Sequence, residues 1–139
     1  MTDVSPLDAA CRAHEVLVLY LFGSRADDGM KRLEGLPVAS GGSDLDVGVA
    51  FATPDVDHRR LAALQVALED VFEPLRVDMV PLQRVDALFQ FAAISGHRVF
   101  ESDSTRVAEY ELVVMRRAAE LAPIQRRIER ELFGLGGRP

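Results

Sequence analysis

The chain has 139 residues, 48% hydrophobic and 27% charged, a balance that excludes a disordered polypeptide and fits one domain with a core. A net charge of −6 without a dense basic patch argues against a protein that grips long nucleic acid. The longest apolar run, Val16 to Phe22, is too short to cross a membrane.

A single cysteine, Cys11, allows no internal disulfide, and "MTDVSPLDAA" lacks the basic start and apolar stretch of a leader, so a cytoplasmic location is expected. Ser5-Pro6 followed by Asp8 predicts a helix start: a capping hydroxyl, a proline in the first turn and an acid near the positive end. That helix is expected to run to about His14. "VLVLYLF" (Val16 to Phe22) then reads as a strand buried on both faces, ended by Gly23-Ser24. Residues 26–43, "ADDGMKRLEGLPVASGGS", are rich in glycine and mixed charge and predict a long, partly mobile connection.

A second strand, "DLDVGVAF" (Asp44 to Phe51), is stopped by Thr53-Pro54. The helix expected from about Asp57 has Leu61, Leu64, Leu68, Val71 and Phe72 on one face, and Pro74 ends it. "LRVDMV" (Leu75 to Val80) predicts a third strand. A short helix with Val85, Leu88, Phe89 and Ala92 follows, closed by Gly96. "HRVFES" suggests an edge strand. Ser104 is the expected cap of a last helix that Pro123 interrupts or kinks before it resumes through Leu132. These elements make one domain over residues 1–133, and "GLGGRP" at 134–139 is expected to be a flexible tail.

Two aspartates inside the second strand are the oddity. Asp is disfavoured in strands, and neighbouring carboxylates repel. Residues two apart share a face, so Asp44, Asp46, Gly48 and Ala50 line one side, too small and too acidic for core. Leu45, Val47, Val49 and Phe51 line the core side. In the third strand Asp78 alternates with Val77 and Met79 and also points away from the core. If those strands are neighbours, three carboxylates converge. Mg²⁺ suits such a set, because it prefers oxygen ligands and is usually held by carboxylates plus substrate phosphates. Two ions can activate an attacking oxygen and stabilise the leaving one. A D-x-D pair alone is more often a solvated strand face. Here it is joined by Gly23-Ser24 after a buried strand, whose backbone N–H groups and hydroxyl can cradle phosphate. His14, His58 and His97 lack metal-ligand spacing and read as solvated or capping residues; Tyr20 and Tyr110 read as packing residues.

"LFGSRA" (Leu21 to Ala26), "SDLDVGV" (Ser43 to Val49) and "VDMV" (Val77 to Val80) resemble the minimal nucleotidyltransferases of the DNA polymerase β superfamily. The weaker match through "VDALFQFAAISGHRVFESDSTRVAEYELVV" is similar to MntA-type antitoxins paired with HEPN ribonuclease toxins. The resemblance implies an α/β (α+β) polymerase-β-like fold, a small mixed sheet packed by helices. It implies that Gly23, Ser24 and Arg25 bind the phosphates of ATP. Asp44, Asp46 and Asp78 would hold two Mg²⁺ ions, with Asp78 also drawing the acceptor's proton. The implied reaction moves AMP from ATP to a tyrosine hydroxyl of a cognate HEPN toxin, which makes the chain an antitoxin with no membrane or direct nucleic-acid partner. The connection from Arg25 to Ser43 is longer than the family's usual spacing; Lys31 and Arg32 within it are candidates to fold over the triphosphate, and partner binding is the other reading of the excursion. Two rival functions stay open: a small-molecule nucleotidyltransferase of the aminoglycoside-modifying kind, and an antitoxin that neutralises by binding alone.

Overall fold

A computed structural model describes residues 5–133; the tail expected at 134–139 lies outside the described residues. The elements are α1 (Pro6–Ala13), β1 (Val16–Phe22), α2 (Ala26–Leu33), β2 (Leu45–Phe51), α3 (His58–Phe72), β3 (Val77–Pro81), a 3₁₀ turn (Leu82–Arg84), α4 (Ala87–Ile94), β4 (His97–Glu101) and α5 (Ser104–Phe133). Local chemistry sets several of the boundaries. The Ser5 hydroxyl accepts the Asp8 backbone N–H at 3.0 Å, and Asp57 and Asp86 cap α3 and α4 in the same way at 2.9 and 2.8 Å.

The sheet order is β3-β2-β1-β4. β1 runs antiparallel to both β2 and β4, whereas β2 and β3 are parallel. As an inner strand β1 is covered on both sides, which is why its sequence is an unbroken apolar run. On one face Leu19, Leu21, Val47 and Val49 pack with Leu64, Leu68 and Phe72 of α3 and with Leu7 and Cys11 of α1. On the other, Val18, Tyr20 and Ala50 pack with Leu82, Ala93 of α4 and Val107 of α5. Tyr20 is fully buried there, and its hydroxyl donates to Glu111 at 2.5 Å, tying α5 to the central strand.

Four expectations need correcting. The small face of β2 is core after all beyond its first residues: Ala50 is buried, and a Cβ on Gly48 would lie 3.2 Å from both Ala93 and Leu82. Small residues there let α4 approach closely, so size was misread as exposure. The connection at 26–43 begins with a helix, α2, whose Ala26, Met30 and Leu33 meet the core. Its Gly29 lies so close to the sheet that a Cβ would be 2.8 Å from Leu21 and 2.9 Å from Leu45. Asp103, rather than Ser104, caps α5, accepting the Arg106 backbone N–H at 3.1 Å. Finally, of the two readings of Pro123, interruption is overturned, because α5 runs through it as a single helix. The carbonyl of Ala119, which loses its helical donor to the proline, lies on an exposed stretch of the helix.

Candidate active site

The sheet gathers the motifs at one edge. Antiparallel pairing sets the end of β1 beside the start of β2, with Phe22 opposite Asp46, and parallel pairing sets Asp46 beside Asp78. Paired residues share a face, so Phe22, Asp46 and Asp78 form a row across three strands. Gly23 and Ser24 follow Phe22 directly, and β4 brings His97 opposite Leu21 at the same edge.

Gly23 has a structural reason to be glycine. Its φ is +78°, and a Cβ would lie 2.2 Å from an Asp46 carboxylate oxygen. The turn and the carboxylate therefore lie against one another. Ser24 Oγ is 3.1 Å from Ser43 Oγ, which ties the turn after β1 to the approach to β2.

Arg25 faces that same approach. Its Nε donates to Asp28 at 2.8 Å, and its two terminal nitrogens donate to the carbonyls of Ala39 (2.8 Å), Gly41 and Ser43 (3.0 Å). The guanidinium is thus occupied in fastening residues 39–43. Lys31 is exposed on α2, and Arg32 donates to the backbone carbonyl of Glu73 beside α3. That contact turns Arg32 toward the helical layer instead of the turn.

Electrostatics single out Asp46. Burial pushes its carboxyl above the ordinary range, and Asp78, through both charge and a side-chain hydrogen bond, pushes it further, with Asp44 adding to the same effect. Asp44 itself leans toward Arg76, 3.9 Å away, whose side chain is 84% exposed. Such a pair is weak and leaves Asp44 free to turn. Among the described residues no three His, Cys, Asp or Glu side chains are grouped closely enough to enclose a metal ion as they stand. The donors that do meet are all carboxylate oxygens in mutual repulsion, a set that suits a hard divalent cation.

Sequence reasoning passed over Ser43 and His97. A cleft of about 310 Å³ opens beside the Gly23-Ser24 turn, lined also by Phe22, Asp27, Ser95 and His97. His97 Nε2 lies 3.2 Å from Asp27 in its wall. No spacing rule could find this contact, since 70 residues separate the pair. Gly96 was the available signal: a Cβ on it would sit 2.2 Å from the Leu21 carbonyl, marking where β4 closes on β1.

With this geometry in place, the comparisons with known proteins identify the class. The family described as "Polymerase beta, Nucleotidyltransferase" matches residues 7–105, and the chain belongs to it: the protein is a nucleotidyltransferase. No curated protein matches the chain. Among solved structures it is similar to a chain from a complex of tri-AMPylated Shewanella oneidensis HEPN toxin with MNT antitoxin. The TM-score is 0.64 at 15% identity, over 91% of this chain and 92% of that one. A chain of the MntA-HpeT toxin–antitoxin complex aligns with TM-score 0.55 at 14% identity, over 93% and 91%. A toxin–antitoxin structure with AMP-PNP gives 0.54 at 15% identity, over 94% and 92%. At such identities these likenesses establish the fold.

Proposed function

We propose that this nucleotidyltransferase moves AMP from ATP to a tyrosine hydroxyl of a cognate HEPN toxin and so acts as its antitoxin. The observation that carries the chemistry is the strand register, which sets Asp46 beside Asp78 and against Gly23. Nucleotidyl transfer needs carboxylates at the reacting phosphorus and phosphate-holding groups next to them, and the closeness of Asp46 and Asp78 to the Gly23-Ser24 turn supports that reading. The protein acceptor is supported by structural neighbours from toxin–antitoxin complexes, one of them of a tri-AMPylated HEPN toxin with its MNT antitoxin. It is supported as well by α5, where Leu121, Ile124, Ile128 and Leu132 repeat every three or four residues and are exposed.

Asp44, Asp46 and Asp78 would hold Mg²⁺, which when bound offsets their repulsion and the negative charge of the triphosphate. The chain's own groups do the rest. The Gly23-Ser24 backbone N–H groups and the Ser24 hydroxyl hold phosphate oxygens at the turn that opens α2. Ser43 fixes the Ser24 hydroxyl, and Arg25 fixes Ser43 through its carbonyl, so Arg25 serves the phosphates by positioning the loop. Asp78, at the outer strand of the row, accepts the tyrosine proton on a carboxylate oxygen. Its placement on β3 leaves the attacking hydroxyl room to approach from the open edge of the sheet.

The test is direct. The protein, its genomically adjacent toxin, ATP and Mg²⁺ are incubated, and intact masses are taken. AMP additions on a toxin tyrosine are expected. A toxin that is silenced yet unmodified would replace this reading with neutralisation by binding.

A further inference from the structure

The cleft beside Gly23-Ser24 lies on the far side of the carboxylates from Asp78. Asp78 on β3, Asp46 on β2 and Phe22 on β1 form a row across the sheet, and His97, at the start of β4 opposite Leu21, lies beyond it at the same end of the strands. In-line displacement places the attacking and leaving oxygens on opposite sides of the phosphorus. With the acceptor on the Asp78 side, the leaving group departs over the Gly23-Ser24 turn and into this cleft. The cleft's lining is largely polar at that end, with Ser24, Ser95 and His97. Among the described residues His97 is the one basic side chain in its lining, and the nearby Arg25 guanidinium is committed to the 39–43 loop.

We propose that His97 is a catalytic residue that binds the leaving pyrophosphate, and that Asp27 holds its imidazole in place until phosphate takes over. This rests on the nucleotidyl-transfer reading above and adds the leaving-group side of the site. The contact with Asp27 puts a proton on Nε2, because an ionised carboxylate only accepts. Asp27 is 89% exposed on its side chain, so the pair is weak and easily exchanged for a phosphate oxygen. In the step itself the acceptor oxygen bonds to the α-phosphorus and its proton goes to Asp78. The bond to the bridging oxygen breaks, and its electron pair stays on pyrophosphate. His97 Nε2–H donates to that developing charge without giving up its proton.

Calorimetry of the full chain with Mg²⁺ tests this using four ligands: ATP, ADP, AMP and inorganic pyrophosphate. His97→Ala should weaken ATP, ADP and pyrophosphate by about tenfold and leave AMP unchanged, as expected for a lost hydrogen bond to a charged group. His97→Gln, which keeps an N–H donor, should recover most of the loss. Asp27→Asn should move the other way, tightening ATP relative to AMP by removing a repelling charge and leaving a neutral, weaker competing acceptor. Equal loss for AMP and ATP would assign the cleft to the nucleoside and overturn the proposal. So would affinities untouched by all three variants, or Asp27→Asn weakening ATP as His97→Ala does, which would make the pair structural. None of these readouts involves an acceptor, so the proposal can fail while AMP transfer to the toxin stands, and the reverse.

Discussion

Asp46 and Gly48 lie two residues apart on the same face of β2, yet their surroundings are opposite. Around Gly48 the face is shut: Ala93 and Leu82 come so near that a single added carbon would sit 3.2 Å from each. Around Asp46 it is only partly buried, and the Gly23 turn lies against the carboxylate. One strand face thus changes from core to chemistry within one side-chain repeat. The packed half fixes where the strand lies, and that placement holds the acid half in register with β3. Rigidity next to the site lets the repelling Asp46 and Asp78 carboxylates stay side by side.

The sharpest way to break the comparison is Asp46→Asn. It keeps the shape and removes the charge, so AMP transfer should fall by about 10²-fold or more. Thermal unfolding in EDTA should be unchanged or shifted upward, because one of three repelling groups is gone. Full transfer by the variant would end the catalytic assignment; an unfolded variant would make Asp46 structural.

The counterpart at the packed half is Gly48→Val. Its branched side chain must displace Ala93 or Leu82, costing about 1–3 kcal/mol by overpacking. The denaturant midpoint should drop with the slope unchanged. A variant as stable as the parent would mean that α4 is not closed over β2 as the structure has it.

The open half was legible in the sequence and the closed half was not. Asp46 and Asp78 broke the apolar pattern of their strands, with Asp44 just before the first, and the Gly-Ser motif after a buried strand marked the turn that lies against Asp46. Gly48 and Ala50 carry no such contrast. A small residue reads alike whether solvent or a helix lies above it, and only tertiary packing decides. The same ambiguity hid α2, because Asp27-Asp28-Gly29 looks like a turn until Gly29 is seen against Leu21 and Leu45. His97 was illegible for a different reason: its neighbours come from β1 and α2, distant in the chain, through strand pairing.

A smaller effect separates the two halves by pH. The Asp46 carboxyl is held above the ordinary carboxylate range by burial first, then by Asp78 and Asp44. The folded state therefore binds that proton more tightly than the unfolded chain does. The favourable contribution is complete below the ordinary carboxylate range and is lost as pH rises through the raised value. In EDTA, the parent minus Asp46→Asn difference in melting temperature should thus fall from acid toward neutral pH. A flat difference would mean that Asp46 titrates as an ordinary exposed carboxylate. Added Mg²⁺ should reverse the slope, since the ion binds the ionised form.

The smallest expected effect concerns which half of the molecule α2 serves. Lys31 and Arg32 were the sequence's candidates for a clamp over the triphosphate, on the strength of charge and of a connection longer than usual. The structure anchors Arg32 to the Glu73 carbonyl beside α3 and leaves Lys31 in solvent. Arg32 belongs with the packed side of the comparison. Replacing both with alanine should cost about 1 kcal/mol or less of stability, the ordinary net value of one partly exposed hydrogen bond. The KM for ATP should stay at the parent value, since Arg32 is held at Glu73 and Lys31 is in solvent. A KM raised several-fold with kcat and folding intact would show that α2 swings over the phosphates when nucleotide binds. The boundary between packed scaffold and reactive edge would then run through this helix, not between Asp46 and Gly48.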